Sequence, residues 1–267
     1  NTWISSIGAV SRLREVRVNC GFSRIIPMSI PVEGINDALG NGLISPLSES
    51  STNIEWLPAI EVRGEGIFIR FNEKSISLWE DDDTVKKRAA LINQIYIEHC
   101  ENADFEPSHV ITPRLLLIHS FSHIMIRRLS IDCGYSSASL RERLYFSEKN
   151  EQLTPMAGVL IYTATPDSDG SLGGLVALAS PDYIEDTLLR AIKDSVWCSN
   201  DPICIENEPY INGERYSGAA CHNCILVPET ACELFNRELD RAMLVGIDDK
   251  LTSTRVRGYF EDMLNII

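Results

Sequence analysis

The sequence predicts an α/β protein of the mixed α+β kind, with a β-rich N-terminal part and a helical C-terminal part built around a four-cysteine zinc knuckle. Three observations predict it. Alternating, β-branched runs gather in the first 75 residues; apolar residues at helical spacing dominate from about residue 83; and five of the eight cysteines fall between residues 198 and 232. A chain of 267 residues can hold one large domain or two modest ones. The change in pattern divides it into a β-rich region with one helix, 1–110, and a zinc-binding region, 111–267.

Taken in order, LREVRVNCGFSRI alternates around Val16 and Val18, and EVRGEGIFIRFN is a strand pattern broken by Gly64 and Gly66. Between them, residues 31–53 are rich in Pro, Gly, Asn and Ser and predict a long surface loop. Ser75 to Trp79 adds a short strand. The spacing of Val85, Ala89, Ile92 and Ile95 predicts a helix from Asp83 to Cys100. Pro113 stands where a helix N-terminus tolerates proline, and the helix it opens runs to Cys133, with Gly134 as its stop. This helix is apolar on every side and should be central and buried. Ser137 to Phe146 reads as another helix, AGVLIYTA (157–164) as a buried strand, and TPDSDGSLGG as a loop. Ser180 caps a helix from Pro181 to Trp197, and further helices are expected over Glu229–Leu244 and Arg255–Ile267.

The cysteines carry the strongest chemical signal. Cys198, Cys204, Cys221, Cys224 and Cys232 occur in WCSNDPIC, AACHNC and ETAC. A Cys-x-x-Cys pair on a tight turn can bind one ion, and two flanking cysteines complete a tetrahedral site. A redox pair needs no flanking cysteines, and Cys20, Cys100 and Cys133 are scattered singly, unlike a disulfide scaffold. The expectation is one zinc per chain, in a reducing cytoplasm.

Two other constellations are weaker. His119 and His123 share a helix face in HSFSH, but Ser120 stands where a zinc protease needs its Glu. The two rings are expected to bond protein groups or line a shallow cleft without metal. Asp167, Asp169, Gly170, Gly173 and Gly174 follow the 157–164 strand; two acids there could hold Mg²⁺, although such loops are usually turns. There is no P-loop lysine motif and no GxGxxG after a strand.

Net charge is −14, spread as 10 basic against 16 acidic side chains over 1–110 and 14 against 22 over 111–267. The densest basic run, Lys86-Lys87-Arg88, sits directly behind Glu80-Asp81-Asp82-Asp83. A standalone nucleic-acid binder would show a basic stripe, which is missing here. No apolar run approaches the roughly 18–20 residues of a membrane span. The opening NTWISS, without methionine, suggests a fragment or processed product.

The blocks RLREVRVNCGFSRI, HSFSHIMIRRLSIDCGYSSASLRERLY, GVLIYTATPDSDGSLGGLV and the tail from WCSNDPICIE to AACHNCILVPETACELFNRELDRAMLVG occur in one order that resembles DrmB, the helicase-companion subunits of bacterial DISARM anti-phage systems. The C-terminal part of that family is a MrfA-type zinc-binding domain, which also ends certain superfamily 2 repair helicases. The resemblance is weak before residue 60 and good from about 113 to 246, so that 111–267 would be the MrfA-like domain. It implies a zinc ligand soon after the CxxC and ahead of an Asn and an LDR-like stretch, here Cys232 before Asn236 and Leu239-Asp240-Arg241. The ligand before the CxxC is Cys198 or Cys204. Cys204 is preferred, because Cys198 continues a predicted helix. The implied zinc ligands are therefore Cys204, Cys221, Cys224 and Cys232, with no catalytic residues. His222-Asn223 inside the CxxC, where helicase relatives carry Pro, places the chain nearer the DrmB branch. The resemblance further implies a DrmA-like superfamily 2 helicase as partner, DNA reached mainly through that complex, and no membrane. The alternative is a metal-dependent nuclease using Asp167, Asp169 and the two histidines.

Overall fold

A four-stranded sheet is the frame on which the helices pack. The computed structural model describes residues 2–19, 21–22, 45–46, 56–102, 106–147, 154–163, 173–206, 210–212, 215–249 and 254–266. The sheet strands are β1 (Ile4–Val18), β4 (Ala59–Phe71), β5 (Leu140–Ser147) and β6 (Met156–Thr163), and they lie in the order β1-β4-β6-β5. Strand β6 runs antiparallel to both neighbours, with Gly66 opposite Tyr162 on one side and Arg141 opposite Tyr162 on the other. Short antiparallel pairs join β2 (Gly21–Phe22) to β3 (Ser45–Pro46), β7 (Tyr210–Asn212) to β8 (Arg215–Ser217) and β9 (Ile247–Asp249) to β10 (Thr254–Val256). Both helices and antiparallel sheet are present, as the mixed fold class requires.

The chain forms two compact units. One is Arg14–Arg63, within which Glu61 takes both Arg14 and Arg63 as ion-pair partners. The expected loop at 31–53 lies outside the described residues except for Ser45–Pro46. The other unit is Asn1–Leu13 with Gly64–Ile267. In it, β4, α1 (Glu73–Glu80) and α2 (Asp83–Asn102) share one hydrophobic core with α3 (Pro113–Cys133) and the elements that follow.

Several elements differ from expectation for identifiable reasons. Strand β4 is not broken at its glycines. A Cβ at Gly64 would stand 2.1 Å from the Thr163 carbonyl oxygen, and one at Gly66 2.7 Å from that of Ile161. The missing side chains let β6 approach. The expected strand at 75–79 is helix α1. Asn72 caps it by accepting from Lys74 N at 3.1 Å, and Ile76 and Trp79, three apart, enter the core. The expected helix over 137–146 is instead a 3₁₀ turn followed by β5, in which Leu140, Glu142 and Leu144 alternate inward. A carboxylate on the buried face disguised the period of two.

The helix expected over 229–244 is also absent. A 3₁₀ turn at Glu229–Ala231 gives way to Phe235, Asn236 and Glu238 at φ of 55–58°, left-handed conformations that a right-handed helix cannot contain. Only α7 (Ala242–Val245) remains helical there. Likewise 255–267 resolves into the end of β10 and α8 (Glu261–Leu264). Helix α4 (Gly174–Leu178) precedes α5 (Pro181–Asp194), which stops three residues before the expected Trp197. Ser180 stands at the N-cap of α5 but makes no side-chain cap bond. Helix α6 (Ile203–Glu206) follows.

Helices α2 and α3 form as the sequence predicts. Thr112 caps α3, Pro113 opens it and Gly134 at φ 72° closes it. Every residue from Arg114 to Ile126 is buried. Arg114 is fixed by Glu73 at 2.7 Å, Glu80 at 2.8 Å and the carbonyls of Ser147 and Met156 at 2.9 and 3.2 Å, so one guanidinium joins α1, α3, β5 and β6. Removing it would leave those carboxylates and carbonyls unpaired in or near the core. Arg114→Ala is expected to cost about 3 kcal/mol in urea unfolding, whereas Glu73→Ala, at the more exposed partner, should cost about 1 kcal/mol or less.

Candidate metal centre

The stretch after α5 and the CxxC turn bring four sulfurs together. Cys198 Sγ lies 3.5 Å from Cys221 Sγ, Cys221 Sγ 3.6 Å from Cys224 Sγ, and Cys204 Sγ 3.7 Å from Cys224 Sγ. A disulfide would hold two sulfurs at about 2.05 Å. A tetrahedral ion with Zn–S bonds of about 2.3 Å spreads its sulfurs to about 3.7 Å. The spacing is therefore that of four thiolates around one ion. With protons in place of an ion, the four groups cannot ionise alike. The Cys204 thiol hydrogen-bonded to Cys224, backed by the turn's backbone and opposed by burial, holds Cys224 down to about 5, while Cys204 itself is pushed far up by the Cys224 sulfur and by burial. A divalent cation removes this conflict by stabilising all four thiolates.

Local backbone makes the turn. The amides of Cys224, Ile225 and Leu226 all donate to the Cys221 carbonyl, at 3.1–3.2 Å. The amides of Asn200 and Cys221 point at Cys198 Sγ and Cys224 Sγ, both at 3.4 Å, bonds that stabilise metal-bound thiolates. Asp201 accepts the Cys198 amide at 2.8 Å. Two arginines tie the knuckle to the core. Arg127 on α3 reaches the carbonyls of His222, Asn223 and Leu226 at 3.0–3.3 Å. Arg241, fully buried, holds the Ser195 carbonyl at 2.9 Å and Asp201 at 2.6 Å, gripping the other cysteine segment. Next to it, Asp240 pairs with Arg88 at 2.8 Å and accepts the amides of Ala219 and Ala242. A Cβ at Gly218 would stand 2.4 Å from the Asp240 carboxyl, so glycine is required there.

The structure thus places three of the expected ligands, Cys204, Cys221 and Cys224, in one group, and puts Cys198 with them. Cys232 lies elsewhere. Cys198 is available because α5 ends at Asp194, and the Ser-Asn-Asp-Pro turn after it, a legible signal, returns the chain to the knuckle. Cys232 instead joins His119, His123 and Glu142 in a second group whose ligand atoms all lie within 4.8 Å of one another. All four residues are buried, so the two histidines line no cleft. Burial opposes charge on His119, but the Cys232 sulfur and Glu142 carboxylate outweigh it and hold its pKa well above the usual range. Conversely, burial would raise Glu142, and the His123 and His119 rings hold it well below. Sequence reasoning found the histidines but not Glu142 as their neighbour, because β5 was read as a helix.

Of the expected loop site, Asp167, Asp169 and Gly170 lie outside the described residues. Gly173 and Gly174 begin α4, whose N-terminus is capped from β4. Buried Glu65 accepts the Gly173 amide at 2.8 Å and that of Leu175 at 2.9 Å. No helix among the described residues is long and apolar enough to cross a membrane.

Residues 121–225 match the family model of the MrfA Zn-binding domain, a range that holds all four knuckle cysteines and stops short of Cys232. The chain is also 36% identical to the DISARM protein DrmB of Bacillus paralicheniformis over 261 residues, 96% of this chain and 43% of that protein. The chain therefore spans less than half the length of this relative. The family match and the clustered thiols make zinc the metal of this chain. Cys198→Ser is expected to remove about one zinc equivalent and to abolish the intense sulfur-to-metal absorption of cobalt-substituted protein, whereas Cys232→Ser should keep that band. Loss of the band in Cys232→Ser, with Cys198→Ser unaffected, would restore the ligand set Cys204, Cys221, Cys224 and Cys232.

Proposed function

We propose that this chain, which belongs to the family of the DISARM protein DrmB, is the zinc-stabilised, non-catalytic part of a subunit that associates with a superfamily 2 helicase in bacterial defence against phage DNA. The likeness along 96% of the chain carries this reading. The chemistry of the site agrees with it. Four protein thiolates around one ion leave no open coordination position, which is the pattern of a structural rather than a catalytic zinc.

The partner surface fits the same reading. Val196, Trp197 and Ile203 are 49%, 70% and 71% exposed, and they flank Cys198 and Cys204 on the segment that the zinc holds in place. Large apolar groups kept in water beside a rigid anchor suit a protein contact. The net charge of −14 suits a basic motor protein rather than a phosphate backbone. In this assembly DNA would be gripped chiefly by the helicase, in the cytoplasm. The nuclease alternative finds no support in the histidines. His119 and His123 are fully buried and cannot touch a phosphodiester.

The test is a pull-down of the full-length protein with the helicase encoded beside it, together with filter binding on forked and single-stranded DNA. Trp197→Ala should weaken the complex about tenfold or more with zinc content unchanged. Cys224→Ser should weaken it by releasing the knuckle, leaving the helicase's own ATPase intact. DNA binding without the helicase should be weak and salt-sensitive. Tight binding to DNA at physiological salt by this protein alone would overturn the reading.

A further inference from the structure

Behind the knuckle, on the inner face of α3, four side chains of metal-ligating type from three separated stretches of sequence converge in the buried interior. His119 and His123 come from α3, Glu142 from β5 and Cys232 from the segment after the 3₁₀ turn. His119, His123 and Glu142 have no exposed side-chain surface, and Cys232 is 7% exposed. His119 Nε2 stands 3.1 Å from Cys232 Sγ and 3.3 Å from Glu142 Oε1, and His123 Nε2 stands 3.5 Å from that same oxygen.

The orientation of the rings is specific. His119 Nδ1 donates to the Glu238 carbonyl at 3.2 Å and His123 Nδ1 to the Ile225 carbonyl at 2.9 Å. Each ring therefore commits its Nδ1 proton to backbone and turns Nε2 toward the sulfur and carboxylate. Metal-binding histidines are typically oriented in this way by an outer acceptor. The other two donors are held as well. Asn236 N–H points at Cys232 Sγ at 3.1 Å, Glu233 N–H donates to Glu142 Oε1 at 3.1 Å, and the Ser122 hydroxyl lies against Glu142 Oε2.

A network of protein hydrogen bonds alone does not account for this arrangement. His123 Nε2 is buried and has no hydrogen-bond partner, which is a costly state for a ring nitrogen. A thiol on a residue only 7% exposed, beside two fully buried histidines, suits a structural role better than attack on a substrate.

We propose that His119, His123, Glu142 and Cys232 form a second, structural metal site for a divalent transition ion, zinc by donor type, distinct from the four-cysteine knuckle. A tetrahedral ion with bonds of about 2.0–2.3 Å separates its ligand atoms by about 3.3–3.8 Å, close to the spacings observed. Two neutral imidazoles, one thiolate and one carboxylate around a divalent cation sum to zero charge, the least costly state for a site sealed from water. The ion would also give His123 Nε2 its missing partner. The zinc-binding family match at residues 121–225 takes in His123 and Glu142 but not His119 or Cys232.

The experiment uses the whole chain, purified without chelator or added metal, and is independent of any helicase contact. Elemental analysis should give about two zinc equivalents, and zinc X-ray absorption should give a mixed shell averaging about 2.5 sulfur and 1.5 nitrogen or oxygen donors per ion. His123→Ala and Cys232→Ser should each lower the content to about one equivalent and convert the shell to sulfur only. One equivalent with a sulfur-only shell in the unaltered chain would overturn the proposal, as would two equivalents unchanged in both variants. The spectrum of the unaltered chain decides the matter even if a variant fails to fold.

Discussion

A helix buried on every side must satisfy each of its polar atoms inside the protein, and α3 carries His119, Ser120, Ser122, His123 and Arg127 along its length. That requirement organises the C-terminal third of the molecule. His119 fixes the Glu238 carbonyl, the Ser120 hydroxyl accepts the Asp240 amide at 2.8 Å, His123 fixes the Ile225 carbonyl, and Arg127 takes three carbonyls of the CxxC turn. The irregular chain from 217 to 242 is thus pinned to the helix point by point. Without those bonds the helix would bury unpaired groups at roughly 1–3 kcal/mol each. The segment, in turn, has little regular structure of its own to rely on.

The Asp240-Arg241 pair carries the same constraint outward. Asp240 faces inward to Arg88 and to the amides of Ala219 and Ala242, while Arg241 faces the stretch that bears Cys198. One dipeptide thereby sets the distance between the two halves of the knuckle. Asn236 plays a smaller part of the same kind, bonding both the amide and the carbonyl of Val227 through its side chain at 3.1 and 2.7 Å. This is why the region tolerates left-handed backbone at three non-glycine residues: the surrounding bonds over-determine it.

What the sequence made legible follows from how local each signal is. Helix α3 announces itself by an apolar run between Pro113 and Gly134, and the CxxC turn by spacing alone. Cys198 was passed over for Cys204 because α5 was expected to run to Trp197; the helix ends at Asp194, and Cys198 stands beside Cys204, Cys221 and Cys224. Cys232, which the family resemblance implied as a ligand, stands instead with His119, His123 and Glu142. Strand β5 was hidden by Glu142, a charge on the inward face, whose reason for being there is a cluster drawn from α3 and from beyond residue 230. The 229–244 stretch has helical composition, but its backbone answers to α3 and to Val227 rather than to its own propensity. Local pattern is informative until a tertiary partner overrides it.

His119 and Cys232 meet across 113 residues of chain, and Glu142 and Glu233 across 91. On a ribosome adding roughly 5–20 residues each second, the helix emerges on the order of ten seconds before the thiol that completes its surroundings. During that interval an otherwise greasy helix shows an open row of imidazoles and hydroxyls, with β1 and β4 made before it and β5 and β6 following during the wait. Contacts so remote in sequence close late and slowly. The nascent chain therefore passes through a stage in which its most hydrophobic element is only half enclosed, and the stretch that begins near Cys232 acts as the cork that ends its exposure.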